Sequence, residues 1–311
     1  DARSVDKHPV LPAELLDLII EFVLRPQSCE GADICTAGAF GAIAPFTLAS
    51  LQFRSLALRR FLRHVIFSPS EFGENSQWAR FFKLLDSLDG RTGGECFTWV
   101  RSLRASSKTL YDRFHSARLA ALTHLEELSV DLATEGLNTQ KPFLKLIDKA
   151  SHKLTMLTLT SLPCIDIPLL RLIAGTFPYL IDLYLSCTER LEFHCWSCYE
   201  ESLSRTIHSP IPDMFFDCRA MAIVFARILR PLTFLTHLYL GIYLSDEMLI
   251  QYHIDHAEAE EQYPFGPEFC TLCDEAVAEI RLRELAASLE FARSLKALRT
   301  IGFSSFDSPG D

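Results

Sequence analysis

The stretch Leu154-Thr155-Met156-Leu157-Thr158-Leu159 is followed by Leu180-Ile181-Asp182-Leu183-Tyr184-Leu185, and both spell the phrase L-x-x-L-x-L. With apolar substitutes the phrase recurs at Val100/Leu103/Ala105, Leu125/Leu128/Val130, Leu235/Leu238/Leu240 and Leu298/Ile301/Phe303. Its middle positions are 25, 29, 26, 55 and 63 residues apart, which reads as three single steps, a double step, and a double step with an insertion. Within each phrase apolar and other residues alternate, the pattern of a short strand with one buried face. Helical patterns follow, as in 142–150 and 168–176. A strand and a helix in roughly 27 residues cannot bury their own apolar faces, so such units are expected to stack. The fold class expected is α/β: a solenoid of short parallel strands and helices around a continuous core. The competing reading is an unrelated α/β fold whose strands happen to be rich in leucine.

The phrase resembles that of the leucine-rich repeats. Regular members of that family carry Asn three residues past the last Leu, where its amide satisfies turn backbone. Here those positions hold Ala133, Leu162, Thr188, Tyr243 and Phe306, and the chain has two asparagines in all, Asn75 and Asn138. An Asn ladder is therefore excluded, and an irregular arc is expected over residues 76–306, with insertions at about 188–220 and 245–275. In such an arc recognition belongs to the outward residues of each strand. These are Glu127, Ser129 and Asp131, then Met156, Thr158 and Thr160, then Asp182, Tyr184 and Ser186. The series continues through His237, Tyr239 and Gly241 to Thr300, Gly302 and Ser304. Tyr184 and Tyr239 are the anchors nominated for a substrate protein, because aromatic side chains carry much interface energy. Ser129, Thr158 and His237 are nominated beside them.

Upstream, Leu11-Pro12-Ala13-Glu14-Leu15-Leu16-Asp17-Leu18-Ile19-Ile20-Glu21-Phe22-Val23-Leu24 reads as a helix, with Pro12 and Glu14 suited to its first turn. At about 100° per residue Glu14, Asp17 and Glu21 form one acidic stripe, and the rest of the surface is apolar. That is more apolar surface than one core covers, so the helix is either fully buried or covered by a partner. Leu11-Pro12-x-Glu14-Leu15-Leu16-x-x-Ile19-Ile20-x-Phe22-Val23 resembles the opening of an F-box, the helical module that docks onto a Skp-type adaptor of cullin ubiquitin ligases. Its second half would be Leu48 to Ala57, continuing through Leu58 to Phe67. That half departs from the family pattern: Phe53 stands in the usual Trp place and no Cys is present. The resemblance implies a module over 8–67 with a long internal loop at 25–47. It also implies an adaptor surface of Leu11, Pro12, Leu15, Leu16, Ile19, Ile20 and Val23. F-box followed by degenerate leucine-rich repeats is a combination similar to a common fungal type of F-box protein.

Composition narrows the function classes. Thirty Lys plus Arg against 40 Asp plus Glu leave a net charge of −10, which disfavours nucleic acid as a partner. The charge is uneven: residues 51–118 carry 12 basic and 6 acidic side chains, and residues 245–290 carry 2 and 12. The acidic run is read first as a solvated face, and alternatively as a rim selecting basic substrates. No apolar run has the length of a membrane span, no signal-peptide pattern opens the sequence, and neither Asn begins a glycosylation acceptor. An intracellular location is expected.

Two C-x-x-C pairs, Cys195/Cys198 and Cys270/Cys273, supply the ligand number of a tetrahedral zinc site. Their separation far exceeds that of a compact zinc module, so unligated thiols are the leading reading and no cofactor is assigned. Phosphate-binding loops, G-x-G-x-x-G, G-x-S-x-G and H-E-x-x-H are all missing from the sequence. No catalytic residue is nominated. The function expected is non-catalytic: a substrate-recognition subunit that binds a Skp-type adaptor, and through it a cullin, with the repeats holding a protein substrate. The alternative is a repeat scaffold without a ligase link, whose first helix caps the arc.

Overall fold

A computed structural model describes residues 11–24, 37–67, 77–92, 95–110, 116–132, 147–162, 164–187, 215, 217–244 and 271–304. The protein is α/β. Among the described residues seven strands form one sheet in chain order: β1 (His64–Ile66), β2 (Ser102–Ser106), β3 (Glu127–Asp131), β4 (Met156–Leu162), β5 (Asp182–Cys187), β6 (His237–Tyr243) and β7 (Thr300–Ser304). The pairings β1–β2, β4–β5, β5–β6 and β6–β7 are parallel. The chain divides into two compact units, Asp1–Glu127 and Leu128–Asp311.

In the first unit α1 (Ala13–Leu24), α2 (Ala37–Ala49) and α3 (Leu51–Phe61) pack on one another. Ser50 caps α3, its hydroxyl accepting from the Phe53 N–H at 3.2 Å. Two expectations are corrected here. The segment read as an internal loop at 25–47 is helical from Ala37, because its Ala-rich, apolar surface finds cover that buries Ile43 and Thr47. The module read as helical through Phe67 has its last helix end at Phe61, and His64-Val65-Ile66 pairs as β1 with Ser102–Arg104, a conformation suited to two β-branched residues. Beyond it, Phe67, Trp78, Phe81 and Phe82 form an aromatic cluster, with Trp78 and Phe82 edge-to-face at 4.7 Å. Trp78, Phe81 and Phe82 belong to α4 (Gln77–Thr92), and a single helical turn, α5 (Ser107–Leu110), follows β2.

The second unit shows why the leucine phrase recurs. Leu157, Leu183, Leu238 and Ile301 stand in register across β4 to β7, as do Leu159, Leu185, Leu240 and Phe303. The leucines are fully buried, whereas Ile301 and Phe303 on the edge strand are half-buried. Strands β5 to β7 also begin alike. The Thr155 carbonyl accepts from the N–H groups of Ile181 and Asp182, that of Ile181 from Thr236 and His237, and that of Thr236 from Arg299 and Thr300. In the first unit the Arg63 and Arg101 carbonyls do the same for the strands that follow them. Strand ends are irregular. Leu162 and Cys187 are buried, and Ser161 takes a left-handed φ of 55° beside a register shift after Leu159.

The helices cover one face of these strands. Asp166 caps α6 (Ile167–Thr176), accepting from the Leu169 N–H at 2.8 Å, and Pro168 fits its first turn. Asp217 caps α7 (Cys218–Leu229), which buries Met221, Ala222, Phe225, Ala226 and Leu229, one stripe at helical spacing. At roughly 1.5–3 kcal/mol for each large apolar side chain, that stripe outweighs the weak helix propensity of Ile223, Val224 and Phe225. The long α8 (Thr271–Ser294) packs on α7 and buries Ile280, Ala287 and Phe291. No described helix is long and apolar enough to cross a membrane.

Candidate functional site

Helix α1 has two apolar stripes, and packing distinguishes them. Leu16, Ile20 and Leu24 point inward, with Leu16 3% and Ile20 0% exposed. The acidic stripe lies against α3: Asp17 and Glu21 both pair with Arg60, at 3.6 Å for Asp17. These ion pairs fix the rotation of the helix about its axis. The stripe left outside is Leu11, Leu15, Leu18, Ile19 and Phe22, all strongly exposed and spaced at i, i+4, i+7, i+8 and i+11. Phe22 is 73% exposed. Of the seven residues nominated for an adaptor, Leu11, Pro12, Leu15 and Ile19 are therefore exposed and Val23 is half-exposed. Leu16 and Ile20, nominated with them, are buried within the module. Leu18 and Phe22, which the sequence reading did not nominate, share the exposed stripe, and a helical wheel centred on Leu15 collects them with Leu11 and Ile19 inside about 100°.

Beside that helix lies a cavity of about 730 Å³ lined by Arg59, Arg60, Arg63 and Arg101 and by Glu14, Asp17, Glu95 and Glu126. The charges balance, and Arg101 is already paired with Glu126 at 2.8 Å. Nothing in this arrangement favours an anion.

The second surface is the strand face opposite the helices. A groove of about 460 Å³ runs across β4 to β7, and its outward lining is Met156, Thr158, Asp182, Tyr184, His237, Tyr239, Thr300 and Gly302. Four of the five residues nominated for substrate, Thr158, Tyr184, Tyr239 and His237, thus come together. Ser129 sits half-buried on β3 and does not line the groove. Register explains the geometry. Thr158, Tyr184, Tyr239 and Gly302 form one row, and Met156, Asp182, His237 and Thr300 the next. The rings of Tyr184 and Tyr239 stack at 4.3 Å and 9°. Gly302 is the next residue of that row, and a Cβ there would stand 2.9 Å from the Tyr239 ring. The Tyr239 hydroxyl is 3.2 Å from the Ser304 hydroxyl, and His237 Nδ1 is 2.6 Å from the Thr300 hydroxyl. Burial pushes the Tyr184 phenol above its ordinary value, with Tyr239 adding to the shift, so it stays protonated as a donor at neutral pH.

Among the described residues no group of three His, Cys, Asp or Glu side chains could hold a metal ion. Cys195, Cys198 and Cys270 lie outside the described residues, as does the side chain of Cys273. Of the described cysteines Cys164 is exposed, while Cys96, Cys187 and Cys218 are buried and burial raises the Cys218 thiol pKa. Alkylation of the native protein should accordingly modify Cys164 and spare those three until denaturant is added, as mass spectrometry of peptides will show. Labelling of Cys218 at the rate of Cys164 would contradict the packing of α7. A comparison with known proteins finds no family model that matches this chain and no curated protein recognisably similar to it.

Proposed function

We propose that the protein is a non-catalytic recognition subunit of a Skp–cullin–F-box type ubiquitin ligase. The observation that carries the reading is the second apolar stripe of α1. Its first stripe already serves the fold, so Leu11, Leu15, Leu18, Ile19 and Phe22 are surplus to folding and suited to a partner's groove. The resemblance of Leu11–Val23 to the opening of an F-box names that partner as a Skp-type adaptor. The strands and helices would form an irregular leucine-rich-repeat arc. In-register leucine ladders and the identical start of successive strands support a repeated unit, as does a strand order that never reverses. The open strand face would hold a substrate protein beside the ligase, where proximity raises the rate of ubiquitin transfer. An intracellular location belongs to the same reading. The repeated strand start supports a scaffold without a ligase link equally well, so the α1 stripe is what must be tested.

The test is capture of a purified Skp-type adaptor by the full chain, compared with Phe22→Glu and Leu15→Glu. The expected result is saturable binding, weakened about thirtyfold in Phe22→Glu, a hot-spot loss of about 2 kcal/mol. Thermal melting should be unchanged, because Phe22 contributes little to the core. A well-folded chain that captures no adaptor removes the ligase reading and leaves the scaffold.

A further inference from the structure

The groove across β4 to β7 is polar in one sense only. Among the described residues that line it there is one carboxylate, Asp182, and no lysine or arginine. The other outward groups are Thr158, Thr300, the two tyrosines, His237, Met156 and Gly302. The chain as a whole is acidic, with a net charge of −10. Charge complementarity therefore calls for a cation.

Geometry narrows the kind of cation. Tyr239 covers one face of the Tyr184 ring. β5 lies between β4 and β6, so the other face of Tyr184 is turned toward the β4 side, where the row holds only Thr158. Tyr184 is 40% exposed. A small residue beside a ring leaves a slot, bounded by Tyr184, Thr158 and Met156. Asp182 is two residues before Tyr184 on the same face of the same strand. Among the described residues its carboxylate meets only the His237 imidazole, at 3.9 Å, beyond hydrogen-bonding range. Its acceptor sites are thus available. A flat cation with paired donors fits a ring face and a carboxylate together better than a compact ammonium does.

We propose that this strand face takes an arginine side chain of a basic, extended peptide segment, the guanidinium lying on the Tyr184 ring and pairing with the Asp182 carboxylate. The inference rests on the reading of the open strand face as the substrate surface, and it names the class of segment that face selects.

A short fluorescein-labelled peptide of alternating arginine and serine, titrated with the full chain at low salt, tests it. Matching peptides with lysine or glutamate replace the arginine. Saturable binding is expected for the arginine peptide, weakened about tenfold by Asp182→Asn and by Tyr184→Ala and little changed by Glu95→Gln on the first unit. The lysine peptide should bind several-fold more weakly. Equal affinity in the parent, Asp182→Asn and Tyr184→Ala overturns the site, because it shows attraction to the acidic surface at large. Equal affinity for the lysine peptide, or no binding of the arginine peptide at all, overturns it too. Adaptor capture measured on the same preparations separates the two readings. A chain that captures adaptor but ignores the arginine peptide refutes this inference alone. One that binds the peptide through Asp182 and Tyr184 without capturing adaptor refutes the ligase reading and leaves the arginine site standing.

Discussion

Replacing Ile20 with aspartate should unfold the helical module of the first unit. Ile20 is fully buried, on the same stripe of α1 as Leu16 and Leu24. The change removes roughly 2–3 kcal/mol of apolar transfer and places a carboxyl at a fully buried position, for a combined loss of about 4 kcal/mol or more. Chemical denaturation of the full chain, followed by circular dichroism, should show an early transition that the parent lacks. Phe22→Glu, two positions away on the outer stripe, should leave that transition untouched. The contrast has a practical consequence: Leu16→Asp with Ile20→Asp cannot test adaptor binding, because loss of fold and loss of partner would look alike. A melt of Ile20→Asp indistinguishable from the parent would show that α1 does not sit with this face against α3.

Gly241→Val should be the most damaging small change in the second unit. Gly241 pairs with Ser186 where β5 and β6 come close, and a Cβ there would lie 2.8 Å from the Ser186 Cα and 3.1 Å from the Leu185 carbonyl. Both obstacles are backbone, so no side-chain rotation can relieve them. The cost is expected at the top of the overpacking range, about 3 kcal/mol, with loss of hydrogen-exchange protection at Leu185 and Cys187. Gly302 differs, since its obstacle is the Tyr239 ring, which can move. Parent-like stability and exchange in Gly241→Val would mean that the two strands lie farther apart than described.

Much of the second unit can be read from particular residues. Leu157 and Leu159, Leu183 and Leu185, and Leu238 and Leu240 alternate with outward residues, and each phrase became a strand with those leucines inside. Asp166-Ile167-Pro168 announces a helix start by its local chemistry. The helix at Ala37–Ala49 could not be read in this way. A stretch of Ala and Gly with Pro45 inside has no polar face to reveal a period, and it is ordered by what packs on Ile43. β1 was equally hidden, because a three-residue strand exists only through its pairing with β2.

The candidate surfaces divide along the same line. That Tyr184 and Tyr239 face outward follows from a period of two, which each strand carries in its own residues. That they stack, with Gly302 beside Tyr239 and a slot beside Thr158, follows from register, which is set between strands. On α1 the sequence alone determined a helix with too much apolar surface and one acidic stripe. Which apolar stripe is buried depends on rotation about the helix axis, and only contacts with α3, including Arg60 on Asp17 and Glu21, decided it. Periodicity is a property of neighbours along the chain and is legible there. Rotation and register are properties of neighbours in space, and they exist only once the chain has packed.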